Sequence, residues 1–228
     1  MKAMTVQNHT LAAGTSHATP YYIVPGGRNG PVMMIVAGIH GNETASIHSA
    51  RQLVGQLQNW RLRIARGKLI IVPIANPQAY RKRNRGVPDL NRTFPKGPKR
   101  PATHPMSQAI VQLMKTYKPS WYLDLHEANG LSKHDAKVLG QTLVTNAANP
   151  VVPAARRVIQ RVNSALQSPS HQFHLRLHPL SGSSRTAAAR LIHAKTVTVE
   201  TCWSLPFHVR KSYQIRIIKH FLREAEMV

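Results

Sequence analysis

Residues 32–60 read VMMIVAGIHGNETASIHSARQLVGQLQNW, and this stretch decides the fold class. Val32–Ile39 is a short apolar run without helical period, which is typical of a buried β-strand. Gly41 then allows a sharp turn directly after the strand. Thr44–Trp60 has the period of an amphipathic helix, with one apolar face formed by Ile47, Ala50, Leu53, Val54 and Leu57. A buried strand that leads into such a helix is the repeating unit of an α/β fold.

The same alternation continues along the chain. Further strands are predicted at Leu69–Ile74, Ser120–Leu125, Thr142–Thr145 and Thr196–Glu200. Further helices are predicted at Pro105–Tyr117, Val151–Leu166, Ala187–His193 and Ser212–Glu226. Long loops are expected at Gln78–Pro105 and Ser168–Arg185. We therefore expect an α/β fold in a single domain over residues 1–228, with a mostly parallel, mixed central sheet and helices on both faces.

The composition limits the class of protein. The 31 lysines and arginines against eight acids give a formal charge of +23, which attracts polyanions and equally suits a solubility role. The single cysteine, Cys202, excludes an internal disulfide and a thiolate metal cluster. No apolar run approaches the roughly 20 residues of a membrane span. No apolar signal segment follows Lys2, so we expect a cytoplasmic protein, or an envelope or secreted one if a signal was removed.

The scarce acids are concentrated in a few segments. Five of the eight lie in the sequences HGNE, PDLNR, DLHE and TVET. His40, His126 and Glu200 each fall at the carboxyl end of a predicted strand, where open α/β sheets bind their ligands. One site is therefore expected there.

His40, Glu43 and His126 match a common catalytic zinc set, since two histidines and a glutamate leave one position open for water. The H-x-x-E spacing is a weak signal by itself, and a histidine after a strand is often structural. Glu200 is a candidate general base, because a carboxylate at the end of an apolar strand is costly unless it is paired or functional. Glu127, which follows His126 in the sequence, is the rival base. Because side chains alternate along a strand, Glu127 is expected to point away from the face that His126 uses.

Other polar residues supply secondary candidates. Asp124 shares the face of His126 and either orients a ligand or is a plain structural acid. Arg92, with Asn91 beside it, is suited to binding a carboxylate. Arg81 and Lys82 are better explained as solvated residues of a basic loop. The histidines of HQFHLRLH are expected in a surface loop, and Ser181-Gly-Ser-Ser is expected as a flexible loop beside the cleft.

In order, HGNE, NPQAYRKRNRGVPDLNRTFP, LDLHE and TVTVE resemble the zinc carboxypeptidase superfamily over Ala37 to Glu200. The sequence is most similar to the succinylglutamate desuccinylase/aspartoacylase branch and to related bacterial cell-wall peptide amidases. The resemblance implies one zinc per chain on His40, Glu43 and His126. It also implies that Asn91 and Arg92 grip the free carboxylate of the substrate and that Glu200 is the base and proton shuttle. Arg85, with Arg83 as the alternative, would polarise the scissile carbonyl, and Tyr213 is offered as the substrate-contacting tyrosine.

The expected function is hydrolysis of an amide bond next to a free carboxylate. Only 28 residues follow Glu200, so we expect no additional C-terminal domain, an open cleft and a peptide-like substrate. A carboxypeptidase or cell-wall peptide amidase is favoured over an N-acyl amino acid deacylase. The partner would accordingly be a small acidic peptide or an N-acyl amino acid. A non-catalytic binder of anionic polymers is the alternative from another class, while nucleic acid is not expected, since no recognition helix or aromatic platform is found.

Overall fold

The computed structural model describes residues 5–228, so part of the N-terminal segment considered for a signal lies outside the described residues. Eight strands form one mixed sheet in the order β1-β2-β4-β3-β5-β8-β6-β7. Their bounds are β1 Gln7–Leu11, β2 Thr19–Pro25, β3 Arg28–Ala37, β4 Arg66–Val72, β5 Trp121–Ala128, β6 Thr142–Thr145, β7 His174–Leu177 and β8 Lys195–Cys202. The four central strands, β4, β3, β5 and β8, are parallel, and antiparallel pairs join the outer strands to them.

Residues 5–228 also form six α-helices. They are α1 Thr44–Gln58, α2 Pro77–Lys82, α3 Pro105–Tyr117, α4 Val152–Asn163, α5 Ser184–Ile192 and α6 Phe207–Glu224. Two single 3-10 turns lie at Leu90–Arg92 and Pro169–His171. None of the helices among residues 5–228 is long and apolar enough to cross a bilayer.

Alternation along the strands divides the core into two layers, as the period of a strand requires. Met33 and Ile35 of β3 face one layer, where α1, α4 and α6 pack. Met34 and Val36 face the opposite layer, where α3 and α5 pack. The predicted α/β class, with a mostly parallel mixed sheet and helices on both faces, is confirmed.

The parallel centre brings three carboxyl ends together, because β3 pairs with β5 and β5 pairs with β8. His126 and Glu200 are direct register partners on β5 and β8. Gly41, in the turn after β3, packs against α2 so closely that a Cβ atom there would lie 2.0 Å from the carbonyl carbon of Ala79. Only glycine therefore permits this turn beside α2.

The structure differs from the sequence prediction in three segments. The loop predicted at Gln78–Pro105 contains most of α2 and a 3-10 turn, with Asn76 capping α2 through the backbone N–H of Ala79. The segment predicted as irregular at Ser168–Arg185 contains the edge strand β7, none of whose residues is fully buried. The antiparallel strands β1 and β2 are not predicted from the sequence. QNHTL of β1 is polar and mostly exposed, and TPYYIVP of β2 carries two prolines and is only partly buried.

Candidate metal centre

The two histidines and the glutamate predicted from sequence converge at the carboxyl edge of the parallel strands. His40 lies in the turn after β3, Glu43 immediately precedes α1, and His126 lies within β5. Each residue is 2% exposed, and one ligand atom from each lies within 4.8 Å of the others. The carboxylate of Glu43 joins the two rings, with Oε1 2.5 Å from His40 Nδ1 and Oε2 2.9 Å from His126 Nδ1.

Each histidine has a second carboxylate at its far nitrogen. His40 Nε2 donates to Asp89 Oδ1 at 3.0 Å. His126 Nε2 lies 3.1 Å from Asp124 Oδ1, out of line for a hydrogen bond, and neither atom has another partner among residues 5–228. A carboxylate at the far ring nitrogen orients a metal-binding histidine, and here both Nδ1 atoms face Glu43, the third candidate ligand. The donor set and its outer partners therefore fit a catalytic zinc ion.

The electrostatics of this cluster also suit a cation. Burial opposes the charge of Glu43, but His126 and His40 outweigh it and lower the pKa of this carboxyl. Burial likewise opposes a charge on His126, but Asp124 and Glu43 outweigh it and raise the pKa of this imidazole well above its usual value. The site thus attracts positive charge strongly, and a metal ion would compete with the protons for the same nitrogen atoms.

Glu200 lies beside His126 at the end of β8. Its Oε2 is buried and has no hydrogen-bond partner in the described part of the chain. Burial raises the pKa of Glu200 to about 8, because the opposing attraction of His126 and His40 is incomplete and Glu43 and Asp124 repel its charge. A carboxyl group that exchanges a proton near neutral pH is suited to general acid–base work.

Glu127, the rival base, is occupied by structural contacts. Its Oε2 accepts from the backbone N–H of Ala45 at 2.8 Å, and its Oε1 accepts from Arg210 Nη1 at 2.5 Å. The carboxylate therefore ties β5 to the first turn of α1 and to α6. With both oxygens engaged, Glu127 is poorly placed to take a proton from water.

Asp89 connects the metal cluster to the arginines of the loop. Besides His40, it accepts two bonds from Arg85, from Nε at 3.1 Å and from Nη2 at 2.9 Å. Although burial opposes it, the hydrogen bond from His40 and the charge of Arg85 hold the pKa of Asp89 well below its usual range. Arg85 lines the cleft, whereas Arg83 stacks on the ring of Tyr80 at 4.4 Å.

Asn91 and Arg92 follow in the 3-10 turn and line the same cleft. Asn91 is buried, and its Oδ1 accepts from the backbone N–H of Ser184 at 3.0 Å, which leaves its amide N–H groups as the free donors. Arg92 is about half exposed, and its Nη1 donates to the carbonyl of Asn91. Both residues therefore present donors at the edge of the metal cluster.

The segment expected as a flexible loop, Ser181-Gly-Ser-Ser, is instead ordered by α5. Ser183 caps this helix by accepting from the backbone N–H of Thr186. Ser184 is fully buried and donates from Oγ to Asp124 Oδ2 at 2.5 Å. Ser184 thus contacts both Asn91 and Asp124, a connection that no pattern in the sequence indicates.

The cleft over the metal cluster encloses about 250 Å³. Sequence reasoning missed its apolar wall, to which Leu139, Leu180 and the half-exposed Trp203 contribute. Trp203 follows Glu200 closely in the chain, which is the one available signal. Tyr213 is not in this wall, because its hydroxyl bonds to His171 Nδ1 at 2.9 Å beside a different pocket. A larger cavity of about 530 Å³ beside α5 contains none of the proposed metal ligands.

The fold is a carboxypeptidase-like fold, in agreement with the resemblance of the ordered motifs. Product-bound cell shape determinant protein Csd4 from Helicobacter pylori superimposes with a TM-score of 0.75 at 20% identity, over 87% of this chain and 52% of that chain. Carboxypeptidase A from Helicoverpa armigera superimposes with a TM-score of 0.74 at 17% identity, over 97% of this chain and 69% of that chain. At these identities the likeness establishes the fold.

The family follows from sequence. Residues 29–211 match the succinylglutamate desuccinylase/aspartoacylase catalytic domain, and the chain belongs to this family. Succinylglutamate desuccinylase of Photorhabdus laumondii is 33% identical over 144 residues, which cover 58% of this chain and 42% of that protein. The same enzyme of Pseudomonas paraeruginosa is 41% identical over 88 residues, covering 38% and 25%. The chain spans less than half the length of these curated relatives.

Proposed function

We propose that this chain is a zinc-dependent hydrolase that cleaves an amide bond next to a free carboxylate, with one zinc per chain. The observation that carries the proposal is the cluster of His40, Glu43 and His126, whose ligand atoms lie within 4.8 Å of one another. Glu200 lies beside this cluster with an unpartnered oxygen. A metal set, an adjacent base and donors for a carboxylate in one cleft are the parts that such a reaction requires.

Four residues of the cleft besides the metal ligands have proposed roles in this reaction. Bound zinc supplies Lewis acidity and lowers the pKa of a coordinated water to about 7. Glu200, whose unpartnered oxygen lies beside the metal cluster, takes a proton from the attacking water and later delivers it to the leaving amine. Arg85 polarises the scissile carbonyl. Arg92 binds the free carboxylate, and the free amide donors of Asn91 add a directional hydrogen bond.

A carboxypeptidase or cell-wall peptide amidase is the first candidate within this class. Csd4, which shares the fold, is described as a D,L-carboxypeptidase in its mDAP-bound form and is also seen with a bound tripeptide. An N-acyl amino acid deacylase is the second candidate, supported by the family match and by the desuccinylase relatives. Both reactions release an amino acid whose α-carboxylate lies next to the broken amide, so the same Arg92 contact serves either one.

A substrate panel tests the proposal. The zinc-loaded protein is assayed with C-terminal dipeptides, a diaminopimelate-containing tripeptide, N-succinylglutamate and N-acetylaspartate. Each substrate is compared with an analogue in which the carboxylate next to the cleaved amide is converted to an amide. We expect turnover of at least one acid and none of its amide analogue. Absence of turnover on the whole panel, together with absence of bound zinc, would favour the non-catalytic binder of anionic polymers.

Arg92→Gln tests the carboxylate contact on the substrate that the panel identifies. We expect KM to rise about 10- to 100-fold, because a hydrogen bond to a charged group contributes roughly 1.5 to 3 kcal/mol. Arg81→Gln is the matched control, since Arg81 is exposed and contacts the carbonyl of Ser16. An equal rise in KM for both variants would show that the general positive field, rather than Arg92, binds the substrate.

A further inference from the structure

A second polar surface adjoins the cleft and has no role in the reaction proposed above. It consists of cations packed on two aromatic rings, and we call it the basic rim. Its members come from three segments of the chain: His48 and Arg51 of α1, Tyr80 and Arg83 at α2, and Phe207 and Lys211 of α6.

Tyr80 is the first of the two rings. The guanidinium carbon of Arg51 lies 5.3 Å from the ring centroid, and that of Arg83 lies 4.4 Å from it. Arg51 Nη1 also donates to the hydroxyl of Tyr80 at 3.2 Å. Two flexible side chains are thereby held in place before any ligand arrives, which reduces the entropy that binding must overcome.

Phe207 is the second ring and is 39% exposed. Lys211 and Arg210 each lie 5.8 Å from its centroid, and His48 packs edge-on against it at 5.4 Å. His48 also joins the two halves of the surface. It packs on Phe207 and lies one helical turn before Arg51, which contacts Tyr80. In keeping with this placement, burial and then the charges of Arg51, Lys211 and Arg83 lower the pKa of His48.

The basic rim lacks compensating acids. In residues 5–228, Arg51, Arg83 and Lys211 form no ion pair. Three of the eight acids line the cleft, and two more contact its histidines. Glu224 and Glu226 pair with arginines elsewhere, and Asp135 accepts from the backbone N–H of Lys137. Concentrated positive charge that no protein carboxylate neutralises favours an anionic ligand.

The basic rim is continuous with the cleft. Arg83 lies two residues before Arg85, which lines the cleft. On the other side, Arg210 of α6 contacts Phe207 and forms the ion pair with Glu127, which also lines the cleft. A chain that leaves the cleft on this side therefore meets the basic rim.

We propose that the basic rim is an exosite for an acidic peptide segment, so that the substrate carries further carboxylates away from the amide that is cleaved. This inference rests on the proposed function, in which the chain hydrolyses an amide bond. It narrows the class of substrate to acidic peptides. Guanidinium groups match carboxylates in a planar, bidentate geometry. Single-stranded nucleic acid is a poorer match, since it needs open ring faces for stacking, and Arg51 and Arg83 lie over the ring of Tyr80.

The test is a binding measurement that needs no catalysis. Two fluorescent octapeptides with amidated C-termini, one of glutamates and one of glutamines, are titrated with the zinc-loaded protein and followed by anisotropy. At about 50 mM NaCl we expect the glutamate peptide to bind at least tenfold more tightly, and this preference to fall at about 200 mM. The double variant Arg51→Gln/Arg83→Gln should lose about tenfold in affinity for the glutamate peptide.

Arg61→Gln/Arg63→Gln is the matched control, with the same change in net charge. Arg63 also stacks on an exposed ring, Trp60 at 5.3 Å, but it lies beyond the far end of α1, roughly 20 Å along the helix from the cleft. We expect this control to bind like the parent protein. Three results would overturn the assignment. They are equal binding of both peptides, equal losses of affinity in both double variants, and tighter binding of an eight-nucleotide oligothymidylate than of the glutamate peptide. Because these peptides are not cleaved, a failure of the proposed hydrolysis would be seen separately, in the substrate panel.

Discussion

Replacing Glu127 with glutamine tests the separation of the two rival carboxylates into a structural and a catalytic residue. The ion pair between Glu127 and Arg210 is 2.5 Å long, with side-chain exposures of 0% and 13%. Glutamine keeps an acceptor for the N–H of Ala45 but leaves the Arg210 guanidinium without its counter-charge. Removing one partner of a buried ion pair costs about 3 to 5 kcal/mol. Arg210 keeps some contact with water and a bond to the carbonyl of Leu205, and burial raises the pKa of Glu127 despite the charge of Arg210. We therefore expect the lower end of this range, about 3 kcal/mol.

The assay is urea unfolding at pH 7.5 in the presence of a chelator, with thermal unfolding as a second measurement. For a chain of this length, a loss of about 3 kcal/mol lowers the Tm by roughly 6 to 12 °C. Below its transition, the zinc-loaded Glu127→Gln variant should keep most of the parent turnover, because neither oxygen of Glu127 is free to act on water.

Glu200→Gln should behave in the opposite way. The pKa of Glu200 in the folded, metal-free protein is about 8, above its unfolded value of about 4.3. Ionised Glu200 therefore disfavours the fold, and parental stability falls as the pH rises from about 4.3 through about 8. The glutamine variant lacks this fall and should be at least as stable as the parent at pH 7.5, while its turnover drops at least about 100-fold. A stable Glu127→Gln variant without turnover, beside an active Glu200→Gln variant, would refute the assignment.

Two further predictions concern side chains outside the direct metal contacts. Ser184→Ala removes the hydrogen bond to Asp124 and should weaken zinc binding about tenfold in a competition with a chromogenic chelator. Ser183→Ala, which removes only a helix cap, should cost about 1 kcal/mol of stability and leave zinc affinity unchanged; equal zinc affinities in the two variants would exclude the connection through Asp124. Glu224→Gln should lower the free energy of unfolding by about 1 kcal/mol at pH 7, since the hydrogen bond and charge of Arg157 lower the pKa of Glu224. The difference in the free energy of unfolding between the parent protein and this variant has its full size above the unfolded pKa of about 4.3, and it should vanish as the pH falls below the folded pKa of Glu224. A difference that persists at pH 2 would contradict the assignment to the ion pair.

Much of the central fold follows from local sequence, because burial is encoded in periodicity. The apolar run before His40 and the amphipathic helix after Glu43 predict β3 and α1 with small errors at their ends. The helix predicted at Pro105–Tyr117 and the strand predicted at Thr142–Thr145 have the observed bounds. The strands β1 and β7 are not predicted in this way, because both lie at the edges of the sheet. The sequence of β1 is polar and mostly exposed, and no residue of β7 is fully buried.

The sequence by itself determined which residues can form the site, because scarce carboxylates and histidines stand at the ends of apolar strands. Tertiary structure alone decided how they are used. The pairing of β5 with β8 places Glu200 beside His126. The packing of α6 brings Arg210 to Glu127, and the two form an ion pair. Strand alternation predicts only that Glu127 points away from the face of His126. Tyr213, offered from the resemblance, lies at another pocket because α6 turns it toward His171.

The basic rim illustrates the same division. Composition shows an excess of positive charge, and the basic loop at residues 81–85 is visible in the sequence, but Arg51 and Lys211 of the basic rim lie in other segments of the chain. They meet because α1, α2 and α6 come together at one edge of the cleft. Local sequence sets the type and burial of each side chain through short-range periodicity. The neighbours of a side chain depend on strand order and helix packing, which contacts between distant segments determine.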